Sequence, residues 1–253
     1  MSGSSCGSVF RNSQARNPLN SIPNYLGHVQ MNLAGKTVYW LPSDTKELWQ
    51  KNMQDADKKH YLDEMNWNTE NSIQYKFNKQ GFRTEEFSRR DCFLALGCSF
   101  TVGTGLEQHQ TWPEVLAQQI QLPVYNLGVF GCAIDTCFRL CYYYIDVIKP
   151  KFVIMMSPPR DRTEIIESMR GQTVTYHGDL CDRHKSWFAY EQNSELNYHK
   201  HNLALHQLCA NRDIPFYSYD SFCEIKDHAR DFMHQGPTTH REFVHSIVEH
   251  IHF

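Results

Sequence analysis

Ser99, Asp231 and His234 are the side chains of this chain whose types and spacing could do chemistry together. A serine hydroxyl is a weak nucleophile until a neighbouring base takes its proton, and an imidazole is the commonest such base. A carboxylate behind the imidazole holds its tautomer and stabilises the charged form that arises. Asp231-Phe232-Met233-His234 places the acid three residues before the histidine, so one turn can present both. The chemistry that fits is acyl transfer from an ester: Ser99 attacks the carbonyl and His234 takes its proton. The negative oxygen that develops needs fixed N–H donors. The backbone N–H groups of Ser99 and Gly131 are the candidates, and a glycine at 131 lets a substrate approach the main chain closely.

Such a serine works only if the fold aims it outward. Residues 92–96 read as a buried strand that Gly97 ends, with Gly103 and Gly105 beyond. A strand stopping at a Gly-x-Ser turn exposes its hydroxyl at the carboxyl edge of a sheet, where open α/β sheets bind ligands. From here strands and helices alternate. Thr111-Trp112-Pro113-Glu114 predicts a helix start, with Thr111 as cap and Glu114 completing a capping box. Residues 124–127 are a second strand, ending in the turn Gly128-Val129-Phe130-Gly131. A helical stripe from Ala133 to Ile148 follows, ended by Pro150. Residues 152–156 are a third strand, running into Ser157-Pro158-Pro159-Arg160. Residues 173–177 suit a strand or hairpin arm, and 180–192 form a polar and aromatic insertion. Residues 194–211 read as a helix with Leu196, Leu203 and Leu208 inward, and 214–219 as another strand. Thr239 is expected to cap the last helix with Glu242, burying Phe243, Val244, Ile247, Val248 and Ile251. The alternation implies an α/β fold: a mostly parallel sheet with helices on both faces.

Before this region, residues 1–26 read as a polar arm, 36–41 as a strand, and 43–53 as a short helix with Leu48 and Trp49 on its buried side. Residues 55–60 read as a charged, solvated stretch, and 72–78 alternate with the period of a half-buried strand. Residues 1–90 are therefore expected to form an arm and a small cap on a main domain of residues 91–253. The 253 residues are 41% hydrophobic, which allows a packed core. A net charge of −3 argues against a non-specific nucleic-acid binder. Nine cysteines show no framework spacing, which points to reduced thiols and a cytoplasmic location. No secretory leader or membrane-length apolar run is read.

Three blocks together resemble the SGNH (GDSL) hydrolases. Gly97-Cys98-Ser99-Phe100-Thr101 looks like the first block of that family, and Asn126-Leu127-Gly128-Val129-Phe130-Gly131 like the second, whose glycine supplies an oxyanion N–H. Asp231-Phe232-Met233-His234 looks like the last block, which carries the other two triad members. The match runs roughly from residue 92 to 251. The resemblance implies a flavodoxin-like three-layer α/β/α fold and esterase, lipase or carbohydrate-deacetylase activity without a cofactor. The expected substrate is a small-molecule or carbohydrate ester, such as an O-acetylated sugar, with neither nucleic acid nor membrane as partner. The oligomeric state stays open.

Two departures stand out. Cys98 replaces the usual aspartate before the nucleophile, at a position outside the triad. The third block, normally G-x-N-D with an asparagine that donates to the oxyanion, reads Ser157-Pro158-Pro159-Arg160. Ser157 or Arg160 could substitute as a substrate-binding donor, and Arg160 and Arg162 could meet an anionic group. The alternative is a catalytically impaired member of the fold that binds a glycan or serves as an interaction module. An acyltransferase using the same serine is a third reading. His177, Cys181, His184, His199 and His201 match no common zinc spacing, so no metal is expected.

Overall fold

Short apolar segments bounded by glycine and proline build the sheet here. The computed structural model of the chain describes residues 30, 32–88, 91–166, 173–177, 190–221 and 224–251. The arm read over residues 1–26 and most of the 180–192 insertion lie outside these. In the N-terminal stretch, β1 (Thr37–Val38) pairs antiparallel with β2 (Tyr75–Lys76). Between them lie α1 (Lys46–Asn52) and α2 (Ala56–Glu64). Leu48 and Trp49 of α1 are only half-buried. The stretch read as charged and solvated, 55–60, is exposed apart from the half-buried Lys58, and it forms the start of α2. The Asp55 carboxylate accepts the N–H groups of Asp57 and Lys58, which nucleates a turn, and Leu62 anchors it.

The main sheet comprises β3 (Phe93–Leu96), β4 (Val124–Asn126) and β5 (Val153–Ser157) with a further strand, β8 (Phe216–Asp220). All pairs are parallel and the order is β4-β3-β5-β8. The first three strands follow the flavodoxin-like order, whose switch point falls between β3 and β5. Between β5 and β8, β6 (Arg162–Ile166) and β7 (Thr173–His177) form a separate antiparallel pair. Alternate residues of the sheet serve opposite faces. Leu94, Leu96, Tyr125, Val153 and Met155 meet α5 (Ile134–Ile148) and α6 (Glu191–Ala210). Phe93, Ala95, Val124, Ile154 and Met156 meet α4 (Trp112–Ile120) and α7 (Pro237–His250). The result is a three-layer α/β/α sandwich.

A third cluster joins the N-terminal stretch to this sandwich. Leu41, Leu62, Trp67, Ile73, Tyr75 and Phe77 bury themselves with Leu106 and Ala229. Among the described residues, no helix is long and apolar enough to cross a membrane.

Three local expectations are corrected. In α6, Leu196 and Leu203 are 58% and 67% exposed, while Tyr198, Leu205, Leu208 and Cys209 face inward. The two leucines are seven residues apart on a different stripe of the helix. Thr111 does not cap α4 with its side chain, and its Oγ donates to the Gln108 carbonyl. The capping box sits one turn earlier, on Glu107 and Gln110. Thr239 likewise lies inside the first turn of α7. Asp227 caps that helix from outside, accepting the N–H groups of Thr238 at 2.7 Å and Thr239 at 2.9 Å. A carboxylate that reaches two N–H groups displaces a hydroxyl that reaches one. A Cβ on Gly236 would lie 2.5 Å from the Asp227 carboxyl carbon, so the missing side chain makes this cap possible.

The free N–H of Trp112 at the start of α4 is accepted by the fully buried His240 Nδ1 at 2.8 Å. Burial, chiefly, lowers the His240 pKa from 6.5 to about 3. The unfolded chain therefore binds an extra proton between those values. This histidine's contribution to stability is present in full above about pH 6.5 and is lost as pH falls from there towards about 3. Urea denaturation across that range should show stability falling with acid, and His240→Gln should flatten the slope.

Candidate active site

Ser99 opens the short helix α3 (Ser99–Val102) directly after β3, with Cys98 at the cap position. Gly97 makes this turn possible. Its φ is +150°, and a Cβ there would lie 2.2 Å from Thr101 Oγ1 and 2.6 Å from the Met156 carbonyl. Gly103, at φ +76°, ends the helix. Beneath it, Thr101 Oγ1 accepts the Trp112 indole N–H at 3.2 Å, and the Asn126 amide donates to the Thr101 carbonyl at 2.7 Å. Cys98 is no rival nucleophile: burial, first of all, pushes its thiol up to about 11.

The second turn crosses the same place. Asn126 Oδ1 accepts the Gly128 N–H at 2.9 Å, and the Val129 N–H and the Cys132 thiol donate to the Gly97 carbonyl at 3.0 and 3.2 Å. Gly131 sits just beyond, at φ +60°. Among the described residues, neither its N–H nor that of Ser99 shows an acceptor.

The loop before α7 brings Asp231 and His234. The Ala229 N–H donates to the His234 carbonyl at 2.9 Å and closes the loop. Phe232 takes the left-handed conformation, φ +57°, at its tip. Asp231 is buried and works with both oxygens. Its Oδ1 accepts the N–H groups of Met233 and His234, each at 3.0 Å. Its Oδ2 lies 2.6 Å from His234 Nδ1. A carboxylate can only accept, so Nδ1 carries the proton and Nε2 is left as the acceptor. Nε2 lies 2.8 Å from Ser99 Oγ, which donates to it. The Phe100 ring meets the imidazole edge-on at 5.3 Å. Residues 135 positions apart thus form one continuous hydrogen-bonded chain from hydroxyl to imidazole to carboxylate.

The third-block residues are engaged elsewhere. Ser157 Oγ lies 2.9 Å from the Tyr198 hydroxyl and 3.1 Å from Ser218 Oγ. Arg160 pairs with Glu195 at 2.9 Å and stacks over the Tyr198 ring. Neither touches Ser99, His234 or Asp231. Arg162 donates to the Cys132 carbonyl at 3.4 Å. Among the described residues no group of three or more His, Cys, Asp or Glu side chains is arranged to hold a metal ion, and Cys181 and His184 lie outside them.

Sequence reasoning missed the supports of the site. Asp44, Tyr61, Tyr75 and Arg83 all come from the N-terminal stretch and touch the loops that carry Ser99 and His234. Arg83 donates to the carbonyls of Val102, Gly103 and Leu106. Arg230, adjacent to Asp231, pairs with Asp44 across 186 positions. No local spacing announces a pair so far apart.

No family model matches this chain, and no curated protein does either. Among solved structures it is similar to a G-D-S-L family protein from Desulfitobacterium hafniense DCB-2 at 17% identity and a TM-score of 0.33, over 63% of this chain and 73% of that one. It is also similar to a member of the lipolytic protein G-D-S-L family from Veillonella parvula DSM 2008, at 11% identity and a TM-score of 0.34, over 64% and 98% of the two chains. An acetyl xylan esterase from the rumen bacterium Butyrivibrio proteoclasticus matches at 12% identity and a TM-score of 0.34, over 65% and 63%.

Proposed function

We propose that this protein is a serine esterase of the SGNH type that hydrolyses a small acyl ester, with O-acetylated carbohydrate as the first substrate class to test. The observation that carries the reading is the unbroken relay from Ser99 Oγ through His234 to Asp231, at 2.8 and 2.6 Å. In this reading His234 removes the Ser99 proton as the hydroxyl attacks the ester carbonyl. The imidazolium that forms is stabilised by Asp231 and returns the proton to the leaving alcohol. Water then repeats the sequence on the acyl-serine. The N–H groups of Ser99 and Gly131 receive the oxyanion. No cofactor enters the steps.

A second reading rests on the third block. Ser157 and Arg160 are committed to Tyr198, Ser218 and Glu195, so neither supplies the side-chain donor that the asparagine gives in the family. Losing one such donor commonly costs about a hundredfold or more in rate. This favours a slow esterase, or a glycan-binding protein that keeps the fold. Labelling with a fluorophosphonate, read by peptide mass spectrometry, separates the two. Modification of Ser99 that vanishes in His234→Ala supports the esterase. A folded protein that is not labelled refutes it and directs the work to glycan binding.

A further inference from the structure

The Asp44–Arg230 pair is almost wholly removed from solvent, at 1% and 0% exposure. Two charges are buried together at a cost, and such a pair persists where its hydrogen bonds are complete. Here they are. Arg230 Nε and one terminal nitrogen donate to the two Asp44 oxygens at 3.0 and 2.6 Å. The same terminal nitrogen donates to the Tyr39 carbonyl at 2.8 Å, and the guanidinium lies 4.3 Å from the centre of the Trp40 ring.

The pair is part of a closed ring. The Tyr75 hydroxyl donates to Asp44 at 2.5 Å and accepts the Gly105 N–H at 2.9 Å. The Gly105 carbonyl accepts the Arg230 backbone N–H at 3.0 Å. Gly105 ends the loop that follows Ser99, and Arg230 begins the loop that carries Asp231 and His234. Nothing larger than glycine fits between them. A Cβ on Gly105 would lie 2.7 Å from the Ala229 Cβ and 3.0 Å from the Arg230 nitrogen. On the far side of the same loop, the Tyr61 hydroxyl donates to the His228 carbonyl at 2.5 Å, and its ring packs on Phe232 at 5.5 Å. Arg83 stacks on Tyr75 at 4.5 Å while binding the carbonyls that close α3.

We propose that the ring Asp44–Tyr75–Gly105–Arg230 is a positioning device through which the N-terminal stretch sets the distance between Ser99 and His234, so that this stretch is part of the catalytic apparatus. The proposal rests on the esterase reading. The nucleophile and its base sit on loops from different strand ends, and the sheet alone does not fix their separation. A displacement of about an ångström between reacting groups can cost about a hundredfold in rate. Tyr75 and Arg230 touch no substrate in this scheme and act through the two loops.

Asp44→Ala would strand a buried guanidinium and puts folding at risk, so Tyr75→Phe carries the test in the full-length protein. It removes one hydroxyl and keeps the ring. The expected result is a kcat lower by about 10- to 100-fold with KM within about twofold, and a parallel fall in the rate of fluorophosphonate labelling of Ser99. Arg230→Lys, which keeps the charge but not the two-pronged geometry, should behave alike and serves if Tyr75→Phe does not fold. A folded variant whose kcat and labelling rate stay within about twofold of wild type overturns the proposal. So does a raised KM with unchanged kcat, which would make the N-terminal stretch a substrate-binding element. If the wild type itself is not labelled, the esterase reading fails separately. The ring is then judged by the proton resonance of His234 Nδ1–H. Its displacement in Tyr75→Phe supports positioning, and an unchanged resonance overturns it.

Discussion

Ser99→Ala is expected to lower kcat for ester hydrolysis by about a hundred-thousandfold to a millionfold while leaving the fold intact. In the proposed mechanism the variant removes the atom that forms the acyl-enzyme, and members of such a relay act as a unit. The serine is half-buried at the first position of a four-residue helix, and its hydroxyl bonds His234 and the neighbouring Cys98 thiol, neither of which anchors the core through it. Its loss should therefore barely move the thermal midpoint. His234→Ala should cost about as much as Ser99→Ala, and the double variant should be no slower than either single one. That non-additivity, measured as kcat with one substrate across the three variants, is the sharpest reading of the relay. Losses that multiply would mean that Ser99 and His234 act independently, and the proposed mechanism would be wrong.

Asp231→Asn is expected to lower kcat by about ten-thousandfold with little change in stability. The two oxygens of Asp231 explain why these effects separate. Oδ1 accepts the Met233 and His234 N–H groups, and an asparagine carbonyl can keep doing so. Oδ2 faces His234 Nδ1, and there the asparagine presents an NH2 group. A donor at that place makes Nδ1 the acceptor and moves the ring proton to Nε2. Nε2 then has no lone pair for the Ser99 proton. Steady-state kinetics beside thermal denaturation tests this. An Asp231→Asn enzyme with more than about a tenth of wild-type kcat would show that the carboxylate only shapes the loop.

Much of the site was legible because its members sit at boundaries that composition marks. Gly97 ends an apolar run and must be glycine for two steric reasons visible only in three dimensions, yet the break itself is in the sequence. Asp231 and His234 are three residues apart, so their contact is a local property of one turn. The helices were legible where one apolar stripe was complete, as in α5. They were misread where apolar residues did not mark the buried face. In α6, Tyr198 and Cys209 are inward while Leu196 and Leu203 are exposed. The caps of α4 and α7 were misassigned for a related reason. Local Thr-x-x-Glu patterns suggested side-chain caps, but His240 and Asp227 reach those helix starts from distant positions.

By itself the sequence determined the α/β alternation, the strand ends that bear Ser99 and Gly131, and the closeness of Asp231 to His234 before the last helix. These depend on periodicity, on glycine at strand ends and on spacing within a turn, all carried by neighbouring residues. Only the tertiary structure decided what holds Ser99 and His234 at 2.8 Å. It also withdrew Ser157 and Arg160 into contacts with Tyr198, Ser218 and Glu195, and it set the N-terminal stretch against both site loops. The physical reason is that a buried charge is indistinguishable in sequence from a solvated one. Asp44 and Arg230 have unremarkable neighbours, and their pairing follows from the packing of Leu62, Trp67, Ile73 and Phe77 against Leu106 and Ala229, which brings residues 186 positions apart into a site shielded from solvent.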